Sequence, residues 1–592
     1  MDAFLNTYIF NIISLVGGLA IFLFGMNIMG EGLERTSGGK LKTILENLTS
    51  NPFKGLLLGL GVTAIIQSSS ATTVMVVGFV NSGIMKLSQS IGIIMGANVG
   101  TTVTAWLLSL SSIGDAGSLF LKFFKPSTFA PILALIGIIM YMFIKKQKSH
   151  NFGEILLGFA VLMSGMETMS ASVEFLADMP EFQNILLLFS NPLLGILTGA
   201  VLTAIIQSSS ASVGILQALS VTGGVTYANA VPIILGQNIG TCITAIISAI
   251  GANKNARRVS VVHLCFNIIG AVLFLLIFYL LHAIIKFPFM NDSVSAVNIA
   301  TIHSIFNIFA TVALFPFSKL LEKLAYIAIP EKGEDKKPQL LDERLIDTPS
   351  VAIAHAKNVV NQMADKVSDV LKSAMSLLDN YDEELAKKVV ETEEEIDMYE
   401  DKLGTYLVKL SRESLSVEDG HETSKLLHTI GDFERMSDHA VNIYEVSQEI
   451  FEKKIEFSEE AKKEMRVITE AVNEILDMTV KAFSEENIEL AKCVEPLEQI
   501  IDSLKKKMKS QHIMRLQSAE CTIETGFIFS DLITNYERVA DHCSNIAVCL
   551  IQVANDSFNT HEYLHHVKEN GENDFINRYN FYKNKYQIKK TR

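Results

Sequence analysis

Charge is what this chain has least of. Asp, Glu, Lys and Arg make up 19% of its 592 residues while 49% are hydrophobic, which sets it apart from wholly soluble proteins. Disulfide chemistry is missing too: Cys242, Cys265, Cys493, Cys521, Cys543 and Cys549 show neither a CxxC pair nor the spacing of a disulfide framework. They read as reduced residues, which suits a cytoplasmic setting for any soluble part. A formal net charge of −14 leaves nucleic acid without a basic surface to bind, so it is excluded as a partner. No nucleophile and base stand at motif spacing, so the chain does not read as an enzyme. Asp2 runs straight into apolar sequence with no basic leader, which argues for an uncleaved first span rather than a signal peptide.

What is there divides in two. Residues 1–330 hold 16 Lys and Arg against 12 Asp and Glu, while the remainder holds 34 against 52, so a net +4 segment precedes a net −18 segment. The first reads as membrane-embedded (1–328), followed by a charged, proline-punctuated linker at 329–349, a soluble module at 350–555 and a tail at 556–592 with no assignable signal. Full crossings of ~20 apolar residues are expected at about 9–29, 88–111, 129–145, 153–172, 230–250, 260–285 and 298–319. Two further segments, 53–81 and 193–221, have apolar arms too short to cross, on either side of QSSS, and read as re-entrant helical hairpins. Arg35, Lys40, Lys42 and Lys54, then Lys145, Lys146 and Lys148, then Lys254, Arg257 and Arg258, then Lys319 and Lys323 all fall on one face. The other face carries Glu174, Asp178, Glu181 and Asp292, with Lys122 and Lys125 against the trend. The positive-inside rule then puts the amino terminus outside and the acidic module in the cytoplasm, in the inner membrane of a cell.

The nonapeptide TAIIQSSSA occurs at Thr63 to Ala71 and again at Thr203 to Ala211, an offset of 140 residues. The same offset pairs Gly18 with Gly158, Gly25 with Gly165, Asn51-Pro52 with Asn191-Pro192, Gly55 with Gly195, and Gly96, Asn98, Gly100 and Thr101 with Gly236, Asn238, Gly240 and Thr241. Repeat 1 is about 9–145 and repeat 2 about 153–285, with an extra span at 298–319. Three crossings lie between equivalent points, so the copies are inverted, the architecture of secondary transporters. At each QSSS tip one helix ends in carbonyls and the next begins in amides. Ser70 and Ser210, with Thr72 and Ser212 behind them, are expected at the cap of the second arm, where amides and hydroxyls suit a tetrahedral oxyanion. First-arm carbonyls with the oxygens of Gln67 and Gln207 suit a small hard cation, and Asn98, Thr101, Asn238 and Thr241 would complete such sites. The bland alternative is close helix packing by small residues; two copies inside a longer repeat favour a site. His263 and His303 read as satisfied histidines of the helix bundle.

QSSSA in both halves, GANVGTT at 96–102, GQNIGTC at 236–242, and His263 to Asn267 and His303 to Asn307 as HxxFN resemble the type II sodium-phosphate cotransporter family over about residues 9–320. The resemblance implies sodium-coupled movement of inorganic phosphate across a lipid bilayer. It assigns substrate and sodium sites to Gln67, Ser68, Ser69, Ser70, Gln207, Ser208, Ser209 and Ser210, and more weakly to Asn98, Thr101, Asn238 and Thr241. Where animal members carry an HDFFN-like segment, this chain has FFKPSTFAPI at 123–132.

Periodic segments at roughly 350–378, 383–412, 420–452, 458–484, 486–512 and 517–554 show helical spacing and no strand-like alternation. FERMSDHAVNI at 433–443 matches YERVADHCSNI at 536–546, so the module is a second duplication, two three-helix units in one bundle. The whole chain is therefore expected to be all-α. Glu393 and Asp397, Glu434 and Asp438, Glu498 and Asp502, and Glu537 and Asp541 stand at i,i+4, placing each pair on one helix face. Oxygen-rich clusters of that kind suit Mg, Mn or Fe; the alternative is a solvated acidic face. The ERxxDH motifs are similar to the PhoU family over about 349–555, which implies regulation of phosphate flux by a metal-binding bundle. The expectation is a sodium:phosphate transporter with a regulatory bundle. An exporter or a membrane phosphate sensor is the rival reading, and homodimerisation stays open.

Overall fold

The computed structural model describes residues 2–46, 51–110, 126–331, 340–518, 520–554 and 573–588. Lys122, Lys125, the start of the 123–132 segment, residues 332–339 of the linker and His561, His565 and His566 of the tail lie outside the described residues. Among those described, the chain is helical without a strand, and it forms two compact units, Met1–Val351 and Ala352–Arg592.

The first unit contains α1 (Asp2–Glu46), α2 (Pro52–Ile66), α3 (Ser69–Asn81), α4 (Leu87–Ser109), α5 (Pro126–Phe143), α6 (Gln147–Val173) and α7 (Pro180–Leu188). It continues with α8 (Pro192–Ile206), α9 (Ser209–Ser220), α10 (Tyr227–Gly240), α11 (Cys242–Ser248), α12 (Lys254–Ile285), α13 (Ala296–Leu314) and α14 (Ser318–Ala328). Among the described residues, six stretches are long and apolar enough to cross a membrane. The expected crossing at 129–145 falls on α5, whose apolar part, Thr128–Phe143, is shorter than the other six. The expected crossing at 230–250 is interrupted at Thr241, between α10 and α11.

Both QSSS segments are helix–break–helix. Asn51 and Asn191 cap α2 and α8 by accepting from the N–H groups of Phe53 and Leu193, and Pro follows at the first helical position, where a missing N–H costs nothing. Glycine then sets the packing. A Cβ on Gly59 would lie 2.0 Å from Ile93 O and one on Gly96 2.0 Å from Leu56 O; the copies at Gly199 and Gly236 give 2.1 Å and 2.0 Å to Ile233 O and Ile196 O. No side chain fits between these backbones. Pro52 meets Gly92 and Thr63 meets Gly100, so α2 and α4 run in the same direction. Because α4 starts a short turn after α3 ends, α3 returns to the end from which α2 set out. The same holds for α8, α9 and α10, where Gly195 meets Pro232 and Gly240 meets Thr203.

The two copies are joined through α1 and α6. Gly18 approaches Gly165 O (3.2 Å from a Cβ there), and its copy Gly158 approaches Gly25 O, the partner of Gly165 (2.9 Å). Such reciprocal contacts are the mark of a two-fold relation. They run between antiparallel helices, so the hairpins of the two repeats open toward opposite ends. Phe22, Met29, Met163, Met166 and Met169 form the apolar core of this seam, with Ala211 and Ala218 of α9 against it. Arg35 pairs with Glu154 at 2.9 Å, and Lys254 and Arg258 donate to the carbonyls of Glu331 and Ile329 beyond α14.

The second unit is a bundle of α15 (Pro349–Leu377), α16 (Glu383–Leu410), α17 (Val417–Lys453), α18 (Glu459–Glu485), α19 (Val494–Gln517) and α20 (Ile523–Ala554). Asp382, Ser416 and Ser458 cap α16, α17 and α18. Leu426, Ile430, Phe433, Met436 and Ile443 of α17 face Leu532, Ile533, Tyr536, Val539 and Ile546 of α20 in the core. A further helix without a sequence signal, α21 (Asn573–Lys585), docks on the second half, with Arg578 donating to Glu489 O at 2.9 Å and Tyr582 buried.

Candidate functional site

The first arm of each interrupted helix ends on a glutamine in the left-handed region, Gln67 at φ 58° and Gln207 at φ 60°. Glycine would adopt this conformation without the ~1–2 kcal/mol cost that a Cβ brings. The side chain is therefore kept at a backbone penalty, twice. Ser68 and Ser208 follow in extended conformation and cap the second arms, their Oγ atoms accepting from the N–H groups of Ala71 (3.1 Å) and Ala211 (3.2 Å). This corrects the expectation that Ser70 and Ser210 sit at the cap. One left-handed and one extended residue suffice to reverse the chain, so Ser69, Ser70, Ser209 and Ser210 already belong to the first helical turns, where backbone amides point outward without intrahelical acceptors.

The hydroxyls behind the tips are used as donors. Thr72 Oγ1 donates to Ser68 O at 3.0 Å, Thr101 Oγ1 to Ala97 O at 3.1 Å and Thr241 Oγ1 to Gln237 O at 2.9 Å. Asn98 and Asn238 spend Nδ2 on the carbonyls of Ile94 and Ile234, both at 2.9 Å. What these side chains have left to offer is oxygen lone pairs. The site thus separates amide donors at the α3 and α9 N-termini from acceptors on α2, α4, α8 and α10.

The two copies then diverge. Thr63 Oγ1 donates to Thr72 Oγ1 at 3.0 Å, and buried Gln67 accepts at Oε1 from Thr104 at 2.9 Å. In the second copy Gln207 is exposed, and the buried Thr203 Oγ1 and Ser212 Oγ have no partner among the described residues. Gln237 donates from Nε2 to Ser212 O at 2.9 Å, and Gln217 donates to Ala105 O (3.0 Å) and Ala296 O (3.1 Å), bridging α9 to α4 and α13. The Oε1 atoms of both glutamines are buried without a partner. Repeat 1 has Ala97 and Val77 at these positions. Sequence reasoning missed Gln217 and Gln237, whose signal was an amide at positions where the first copy has only an apolar side chain. It also misjudged the histidines: both ring nitrogens of His303 and Nδ1 of His263 are buried without a partner, beside Asn307 Oδ1 and Asn267 Oδ1 in the same state.

A family model, Na+/Pi-cotransporter, matches residues 21–171 and again 164–295, so it finds both repeats. The YqeW protein of Bacillus subtilis is 30% identical over 327 residues, 54% of this chain and 99% of its own length. The chain belongs to the Na+/Pi-cotransporter family. YjbB of Salmonella typhimurium, named as a candidate inorganic phosphate export protein, is 24% identical over 93% of this chain and 99% of its own length. The sodium-dependent phosphate transport protein 2B of Homo sapiens is 36% identical over 106 residues, 18% of this chain and 15% of its own length. The PhoU domain model matches 360–447 and 465–550 of this chain, again twice. The family is one of multi-pass membrane phosphate transporters.

In the PhoU-like bundle, Glu393, Asp397 and Asp438 bring carboxylate oxygens within 4.8 Å of one another, a geometry that could hold a metal ion. Burial first, then Asp438, Asp397 and Glu400, pushes Glu434 up to about 7. Burial and neighbouring carboxylates also raise Glu393, Asp438 and Glu400. The second set differs from the fourfold expectation. Lys505 binds Glu537 at 2.7 Å, Lys506 binds Asp502 at 2.6 Å and Arg538 binds Asp541 at 3.3 Å. In register with Glu393 and Glu498, Lys505 and Lys506 stand where the first copy has Glu400 and Asp401, so the second copy neutralises its own carboxylates. At the centre, His439 Nδ1 meets Asn535 Oδ1 and His542 Nδ1 meets Asp432 Oδ1, both at 2.8 Å, with the rings 5.8 Å apart.

Proposed function

We propose that the chain couples phosphate movement to sodium by alternating access. The interruption repeated at Gln67-Ser68 and Gln207-Ser208, with free helical amides on one side of each break and unspent oxygen acceptors on the other, carries the reading. The Ser69, Ser70, Ser209 and Ser210 amides and hydroxyls would hold a phosphate without a basic residue, helped by the helix dipoles. Sodium would be taken by Thr72, Asn98, Thr101, Ser212, Asn238, Thr241 and the glutamine oxygens, and its charge would offset that of the anion. The hairpins re-enter the bilayer from opposite faces, the amino terminus lies outside and the bundle lies in the cytoplasm, as the basic clusters support. A divalent cation such as Mg, Mn or Fe occupies the Glu393, Asp397, Glu434 and Asp438 cluster, while Glu498, Asp502, Glu537 and Asp541 stay metal-free. Import and export use the same groups, and the gradients set the direction.

Radiolabelled phosphate flux in proteoliposomes under opposed sodium gradients tests this. Flux should follow the sodium gradient and fall at least tenfold in Ser69→Ala and Ser209→Ala. Sodium-independent flux would sink the coupling, and no phosphate flux in either direction would sink the substrate.

A further inference from the structure

The chain beyond α14 does more than connect. It returns to the end of α3, where Asp342 is 1% exposed and Leu345 fully buried. Asn81, the last residue of α3, donates from Nδ2 to Asp342 Oδ2 at 2.7 Å. The same asparagine accepts at Oδ1 from Asn253 N–H at 2.8 Å, and its carbonyl accepts from Asn253 Nδ2 at 2.9 Å. Asn253 in turn caps α12 through Ala256 N–H at 2.9 Å. Arg344 closes the cluster, its backbone N–H (3.0 Å) and guanidinium (3.1 Å) both donating to the Asp342 carboxylate. One turn back on α3, Gly78 leaves the space that Leu345 fills: a Cβ there would lie 2.8 Å from Leu345 Cδ2. Thr348 follows, and α15 begins at Pro349.

Among the described residues nothing equivalent holds the second hairpin, where positions 78 and 81 become Ala218 and Val221. A buried carboxylate is costly to strand without its donors, so segment 342–348 is stable either docked or withdrawn, and poorly in between. Two discrete arrangements are what a coupling element requires. α3 is a 13-residue helix, so a shift at Asn81 reaches the Ser69 amide, roughly 18 Å away at 1.5 Å per residue.

We propose that Asp342 and Leu345 are positioning residues for transport, forming a latch that holds the first hairpin in its resting position and gives the bundle a handle on it. This rests on the reading of α3 as a phosphate-binding arm. Withdrawal of the latch frees α3 to move while leaving the amide site itself unaltered.

The test uses the full chain in proteoliposomes, reading phosphate half-saturation and maximal flux separately, with hydrogen exchange of residues 69–81 alongside. Asp342→Ala and Leu345→Ala should raise maximal flux at least threefold, leave half-saturation within twofold, and raise exchange along α3. Asp342→Asn keeps an acceptor for Asn81 and should restore both readouts. Unchanged exchange and flux in both alanine variants would overturn the latch, as would flux that merely falls with the amount of folded protein, or Asp342→Asn behaving like Asp342→Ala. A wild-type chain that moves no phosphate would instead overturn the transport reading, and the exchange measurement would still decide whether the segment restrains α3.

Discussion

The transporter unit and the bundle solve the same problem twice: each is a duplicated sequence closed on itself by reciprocal contacts. In the membrane unit the seam is made of glycines, Gly18 against Gly165 and Gly25 against Gly158, with nothing between the backbones. In the bundle it is polar, His439 with Asn535 and His542 with Asp432. In both units the scaffold stays symmetric and the chemistry does not. Among the described residues, repeat 2 holds buried side-chain oxygens without a partner on Thr203, Ser212, Gln217 and Gln237, while the first half of the bundle holds the clustered carboxylates of Glu393, Asp397 and Asp438. Symmetry belongs to the packing and asymmetry to the sites.

The sharpest way to break that comparison is at the matched glycines. Gly59→Leu and Gly199→Leu should each destabilise by more than ~3 kcal/mol and abolish a monodisperse peak in detergent. One copy tolerating the change would mean that the scaffold is not symmetric. Next comes the bundle: saturating Mg2+ or Mn2+ at about 100 times its Kd should stabilise the full chain by ~2.7 kcal/mol, an effect Asp438→Asn should remove and Asp502→Asn should not. If Asp502→Asn removed it equally, the second cluster would be a site after all. In the membrane unit, Gln237→Ala gives repeat 2 the residue of repeat 1 and should raise the sodium half-saturation about tenfold, the worth of ~1.4 kcal/mol, at unchanged maximal flux. Equal effects on sodium and phosphate half-saturation would argue against a cation role.

The smallest effect is a pH dependence. The Glu434 carboxyl sits at about 7, above its unfolded value, so its stabilising contribution is present at low pH and lost as pH rises toward and through 7. Without metal, Glu434→Gln should therefore raise the melting temperature at pH 8 by about 2–4 °C, near ~1 kcal/mol after allowance for solvent screening, and by almost nothing at pH 4. An equal gain at both pH values would show that repulsion is not the cause.

Much of this was legible in the sequence because repetition amplifies weak signals. One QSSS or one ExxxD pair says little, whereas a fixed offset carried Gly96 and Gly236 along with the serines. The cap was misplaced by two residues because nothing local announces that Gln67 and Gln207, rather than glycines, turn the chain. Gln217 and Gln237 escaped because a search for repeats hides what only one copy has. Lys505 and Lys506 were visible, but their effect on Glu537 and Asp502 depends on which helices adjoin. The docked segment around Asp342 has no local signature, since its partners Asn81 and Asn253 are distant in sequence.

The left-handed glutamines set a trap for anyone improving this protein. Replacing Gln67 and Gln207 with glycine would relieve backbone strain and remove the side-chain oxygens in one step. On the sodium-binding reading proposed above, any selection for thermostable variants that enriched these changes would yield transporters that carry nothing.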